Sequence, residues 1–401
     1  MTGKRAAVAA MLMATMAGVA AAPTGTRLTA LQAGAAAVAA ARQEPVNRAA
    51  LSGALQTYGN LVSFAGDADG AMAALDEAMT GTRLGGSLAE MDALGDARAD
   101  DAISVIVAAA RDKRAVLINE SHHQPMHRAF TQKLAAELRK IGYTYLAAEA
   151  FAEPVANQPR YTTAQHGYYV NEPAFATMIN AALTAGWTLV PYDTTRIDQT
   201  VELRQRMRQR EVDAANLLYE RIFARDPQAK ALIHVGYGHL YKESPPAGIQ
   251  LGTLLSQKLG EGATLHVDQT QFFAHADRTR ENLLYRPLLA KFGPTAPVIV
   301  RRADGAIPVL ASMQRRVDMQ VIFPDYGTLA GRPGWMAALA GRTAFPIPAA
   351  LWPASGRRLV LLHAQDHDTD AVPLDAVMVE AGKPAPPLMA PAGAMRLAIE
   401  G

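Results

Sequence analysis

Cysteine is absent from this chain of 401 residues. That excludes thiol catalysis, disulfides, Cys-ligated zinc and a lipid-modified cysteine anchor. Any metal would have to be held by His, Asp, Glu, Tyr or water. An excess of charge of one sign is also lacking: 39 Lys and Arg stand against 37 Asp and Glu, a net +2. Such a balance gives no electrostatic case for a nucleic-acid or anionic-membrane partner. The Gly-x-Ser-x-Gly elbow of α/β-hydrolase serine enzymes is missing. So is a His-Glu-x-x-His zinc helix, and Gly236 with Gly238 lacks the rest of a dinucleotide fingerprint.

What is present begins with an N-terminal pattern. Lys4 and Arg5 precede an apolar run from Ala6 to Gly18, and Val19, Ala20 and Ala21 are small. This reads as a signal peptide, 1–21, cleaved after Ala21, and predicts a periplasmic or secreted protein. The run is too short and too rich in alanine for a stable transmembrane span, and no other stretch is long and apolar enough to cross a bilayer. Half of the residues are hydrophobic, ample for a core.

The segment 22–99 is rich in Ala, Leu, Met and Gly, and its apolar spacing predicts helices at 28–42, 46–64 and 70–79. No chemistry is evident in it. From 100 to 290 helical and strand-like runs alternate, with strands at 115–118, 143–148, 188–191, 231–235 and 265–267. That rhythm predicts an α/β fold, a mostly parallel sheet with helices on both faces. The strands are apolar without alternation, as burial on both faces requires. The segment 291–401 carries more Pro and Gly with short β-like runs at 297–301, 319–323, 358–362 and 377–380, and predicts a β-rich C-terminal region.

In open parallel sheets ligands bind beyond the carboxyl ends of the strands. Titratable residues collect at those ends here. Glu120, His122 and His123 follow the first strand, with Arg128 beyond. Glu149 ends the second, Tyr192 and Asp193 end the third, and His239 follows the fourth across a Gly-x-Gly turn. Right-handed crossovers would gather them at one rim. A single histidine at a strand end is usually structural, but this cluster points to general acid–base work or ligation. His234, inside a strand, reads as a core residue. Arg196 would suit an anionic group, and His363 with Asp366, His367 and Asp368 resembles a metal-binding tract more simply explained as a solvated loop.

The block from Asn119 to Arg128, the run from Gly142 to Glu149, and the segments 186–193 and 233–239 together resemble the EreA/ChaN-like superfamily. That group joins erythromycin esterases, ChaN-type haem-binding proteins and TIKI/TraB metalloproteases. The resemblance spans about residues 100–270 and adds Arg210 and Glu211, in a helix, to the site. It implies a hydrolase, esterase-like in its chemistry, that activates water with Glu120, His122, His123, Glu149 and His239. Arg128, Tyr192, Asp193, Arg196, Arg210 and Glu211 would then contact a small-molecule substrate. It also implies an alternative, a divalent-metal or haem carrier with His122, Glu149 and His239 as candidate ligands, or a scaffold without turnover. Asn119 stands where the family has Gly. His122 matches the spacing of the ChaN-like and protease-like members and His123 that of the esterases, so the doubled histidine leaves two alignments open.

Overall fold

The computed structural model describes residues 26–43, 47–79, 85–157, 161–193, 200–243, 248–260 and 262–400. The segment read above as a signal peptide, 1–21, and Arg196 lie outside the described residues. The α/β fold is as the strand rhythm predicts. At its centre is β2 (Ala115–Glu120), with all six residues buried. It pairs in parallel with β5 (Ala231–Gly236) on one side and β6 (Thr264–Phe272) on the other. Beyond β5 lie β3 (Tyr145–Ala148) and β4 (Thr188–Pro191), both parallel. Beyond β6 lies β8 (Met319–Ile322), also parallel, followed by antiparallel β7 (Val298–Arg301) and the edge strand β1 (Arg98–Asp101).

The pleat explains why these strands are apolar throughout. Val116 and Ile118 pack on one face with α4 (Ala102–Ala110), α5 (Met126–Lys140) and α6 (Pro173–Thr184). Ala115 and Leu117 pack on the other with α7 (Leu203–Leu218) and α8 (Leu251–Leu259). Successive side chains point to opposite faces, so a strand covered on both sides must be apolar at every position. Glu120 continues the register of Val116 and Ile118 and is delivered to the α5/α6 face.

The sheet draws in more chain than the 100–290 reading allots it. The strands at 298–301 and 319–322, read as part of the C-terminal region, complete its far edge. No helix links them. Residues 302–318 are turns and irregular structure, so the βα rhythm that marks the rest is missing there. The remaining C-terminal strands form small antiparallel sheets, including β12 (Arg357–Ala364) between β13 (Asp375–Glu380) and β15 (Met395–Glu400). Three N-terminal helices, α1 (Arg27–Arg42), α2 (Arg48–Phe64) and α3 (Ala68–Ala78), pack antiparallel in sequence and reach the loop after β2. Among the described residues no helix is long and apolar enough to cross a membrane.

Candidate active site

The site is built on the tip of β2. The Glu120 carboxylate is 3% exposed and accepts two bonds from Arg128, Nε at 2.7 Å and Nη2 at 2.9 Å. Arg128 comes from the first turn of α5 and is itself 1% exposed. Its Nη1 donates to Glu172 at 2.9 Å, and its guanidinium lies over the Phe175 ring. Glu172 caps α6, accepting the backbone N–H groups of Ala174 and Phe175, with Pro173 at the first helical position. Burial pushes the Glu120 carboxyl up, but Arg128 and His234 outweigh it and hold the group well below the usual carboxylate range. Arg128 therefore supports the site from beneath and is not presented to a substrate.

His122 donates from Nδ1 to Glu120 Oε1 at 2.9 Å. Its ring is stacked on Tyr169, with centroids 4.6 Å apart, and meets Tyr237 edge-on. In the neutral ring this leaves the lone pair on Nε2. A Cβ built on Gly236 would stand 2.9 Å from that Nε2 and 2.8 Å from Glu149 Oε2. Histidine and carboxylate thus converge above a residue that must lack a side chain. The next residue, Tyr237, has φ of 37°, in the left-handed region that costs a non-glycine residue strain. Asn119 secures this turn by donating from Nδ2 to Tyr237 O at 2.8 Å and to Asp268 at 2.7 Å. Asn119 is thus a tether between β2, β6 and the turn after β5.

His239 repeats the arrangement on the other side. Its Nδ1 is 2.5 Å from Glu211 Oε1, and the second Glu211 oxygen accepts the Leu251 N–H at 2.7 Å. His239 Nε2 lies 3.8 Å from Glu149 Oε1. Burial lowers the affinity of His239 for a proton, but Glu211 and Glu149 reverse this and raise its pKa to about 9. Glu149 is gripped by Arg210 Nη2 at 2.6 Å and by the Gly236 N–H at 2.7 Å. Burial opposes its charge, yet His239 and Arg210 bring its pKa down to about 2. Arg210 also clasps Asp193 at 2.8 and 2.7 Å. Burial pushes the Asp193 carboxyl up against this pairing. A cavity of about 10 Å³ lies among Glu149, Tyr192, Asp193, Arg210 and His239, room for about one water.

Not every predicted residue joins this centre. His123 turns away and its Nε2 hydrogen-bonds Gln56 O on α2 at 3.0 Å. The helix has Gly59 opposite, where a Cβ would fall 2.6 Å from the His123 ring. Burial lowers the His123 pKa to about 4. Tyr192 is buried and donates to His234 O at 3.0 Å, serving as a wall. Arg210 and Glu211, expected at the substrate, instead orient Glu149 and His239. His234 is a core residue whose Nε2 has no hydrogen bond among the described residues and sits 3.6 Å from Glu120. His367 stacks on Tyr161, and His363 lies buried in β12. Glu172 was not anticipated, although a Glu before Pro at a helix start is a capping signal. The stacking of Tyr169 on His122 leaves no mark in sequence.

The donor set does not suit a resident metal ion. Both Glu149 oxygens already accept N–H bonds, one from a guanidinium that would repel a cation. Among the described residues no three His, Asp or Glu side chains are placed to hold an ion.

No protein-family profile and no curated protein matches the chain. Solved structures similar to part of it include one of bacterial protein toxins, 16% identical, with 57% of this chain and 46% of that chain covered and a TM-score of 0.34. RRSP, a MARTX toxin effector domain from Vibrio vulnificus, is 17% identical over 43% of this chain and 36% of its own, with a TM-score of 0.31. The type III effector HopBA1 is 15% identical over 45% of this chain and 86% of its own, with a TM-score of 0.27. The chain spans less than half the length of the first two.

Proposed function

We propose that the chain is an exported, metal-independent hydrolase of the EreA/ChaN-like kind that cleaves an ester with water activated by His122. The observation that carries this reading is the convergence over Gly236 of His122 Nε2 and Glu149, with His239 beyond, each imidazole held at Nδ1 by a buried glutamate. His122 Nε2 takes a proton from water as the oxygen forms its bond to the ester carbonyl carbon. The carbonyl electron pair moves onto its oxygen, toward the N–H of protonated His239. When the intermediate collapses, the C–O bond to the alcohol breaks and the leaving oxygen takes the proton from His122. Glu120 balances the transient charge on His122, and Glu149 and Glu211 keep His239 protonated. Glu149 is a poor base, because Arg210 and His239 have already lowered its proton affinity. A positioned base of this kind contributes roughly 10²–10⁴ in rate.

The test is a panel of p-nitrophenyl esters of graded acyl length, assayed with the intact protein and with His122→Ala and His239→Ala. The reading expects turnover of at least one ester, its loss in both variants, and unchanged far-UV circular dichroism. Equal rates in all three proteins would reject it. A chelator should leave the rate untouched.

A further inference from the structure

The three-stranded sheet of the C-terminal region has an open edge. β12 lies in its middle, with β13 on one side and β15 on the other. The β12/β15 register runs unbroken from Leu359 opposite Glu400 to Ala364 opposite Met395. Just past it the Gln365 N–H donates to Ala394 O at 2.9 Å. Hydrogen-bonded pairs alternate along an antiparallel ladder, so Arg396, Ala398 and Glu400 bond inward to β12. Met395, Leu397 and Ile399 turn their N–H and C=O groups outward, and no strand among the described residues pairs with them. Edges elsewhere are blunted against such pairing. Three of the four residues of β1 are charged, and β4 ends in Pro191. β15 has no proline and no bulge, and Ile399, opposite Val360, is 47% exposed.

The strand is complementary to itself. Two copies paired antiparallel about a two-fold axis at Ala398 set Leu397 opposite Ile399 of the second copy, and Arg396 opposite its Glu400. This register obeys the ladder, because the outward groups of Leu397 and Ile399 meet each other. At the axis the pair is not hydrogen-bonded, and the facing Cα atoms approach to about 4.5 Å, where alanine fits. An axis at Leu397 would keep the hydrogen bonds but set Arg396 opposite alanine. An axis at Arg396 would face two guanidinium groups. Opposite charges across a pair stabilise it and like charges do the reverse, so the charges select the axis at Ala398. Both side chains are available. Arg396 uses Nη2 on His367 O and Asp368 O. The contacts of Glu400 to Arg27 Nη1 and Leu28 N are long, at 3.3 and 3.4 Å.

We infer that β15 is a self-association surface, on which a second copy of this chain pairs its own β15 antiparallel about Ala398. The pairing joins the two C-terminal sheets into one continuous sheet, covers Ile399 and brings Arg396 to Glu400 on both sides of the axis. The surface lies in the C-terminal region and does not depend on the proposed hydrolase.

The test is sedimentation velocity of the full chain at concentrations up to about 500 µM, since so short a strip makes a weak interface. A reversible monomer–dimer equilibrium is expected. Ile399→Pro removes an outward N–H that pairs with no strand of the free chain. It should weaken association about tenfold or more while far-UV circular dichroism stays unchanged. Arg396→Glu and Glu400→Lys should each weaken it about tenfold when alone, because like charges then face each other. An equimolar mixture of the two should associate again, since every 396 then meets an opposite charge at 400. A parent that stays monomeric at that concentration would overturn the inference. So would an Ile399→Pro variant that dimerises as the parent does, or charge variants that associate as well alone as they do mixed.

Discussion

The tips of β2 and β5 each present an imidazole gripped at Nδ1 by a buried glutamate, but the two glutamates differ in what else they hold. Glu120 shares its charge between His122 and the guanidinium of Arg128. Among the described residues Glu211 has no guanidinium partner. Beyond His239 it meets the Leu251 N–H, and Glu149 adds a second negative charge to the same ring. The ring at β5 therefore retains its proton to about pH 9. One motif, a carboxylate on Nδ1, can thus serve an acid or a base according to whether a buried cation competes for the carboxylate.

The largest effect should follow from breaking the β2 half. His122→Ala should lower kcat by roughly 10²–10⁴ while urea midpoints stay close to the parent. Gly236→Ala tests the convergence itself. Its Cβ would displace both His122 and Glu149, so a loss of roughly 10² in kcat/KM is expected with a folded protein. Arg128→Met probes stability. It strands Glu120 and Glu172 as buried carboxylates without their cation, at a cost of about 3–5 kcal/mol in urea denaturation. Adding Glu120→Gln should restore part of that loss, and strict additivity of the two changes would show that the pair is not coupled.

Much of this site is legible in the chain because strands buried on both faces cannot hold charge until they end. Glu120, Glu149 and Asp193 are therefore conspicuous where apolar runs stop. The roles of Arg210 and Glu211 are not. Their helix carries charges on nearly every side, so the inward-facing pair cannot be separated from the solvated one by period. The doubled histidine is ambiguous for a similar reason. Neighbouring loop residues point opposite ways, and only the arrival of α2 decides that His123 is the one it covers. The strands at 298–301 and 319–322 are legible as strands, but their sheet is not, because no crossover helix announces it.

Acid and alkali should attack different halves of the comparison. His239 has a folded pKa of about 9, above the ordinary value near 6.5. Its contribution is complete below the unfolded pKa and is lost as pH rises through about 9, with an upper bound of roughly 3 kcal/mol. His123 and His234 have folded pKa values of about 4, and His127 of about 3, all lowered mainly by burial. The unfolded chain binds their protons first, so they erode stability as pH falls from about 6.5 toward 4. Urea midpoints measured across pH should fall at both ends. Glu211→Gln should flatten the alkaline limb and leave the acid limb in place. A variant that flattens both limbs would mean that the two tips are not independent.

The smallest effect should come from His123, next to the residue with the largest. His123→Ala removes one hydrogen bond to Gln56 O, a carbonyl inside α2 that keeps its helical partner, a cost of about 0.5–1.5 kcal/mol. It also loosens α2 over the loop that carries His122. If His123 only anchors the helix, KM and stability should shift modestly while the pH dependence of kcat keeps its shape, because no group that titrates during turnover has been removed. Gly59→Ala, which crowds the same ring from the other side, should behave alike. If His123→Ala instead abolishes turnover in a protein of unchanged stability, the base is not the residue that faces Glu149. The stacking of His122 on Tyr169 would then have to be read as packing.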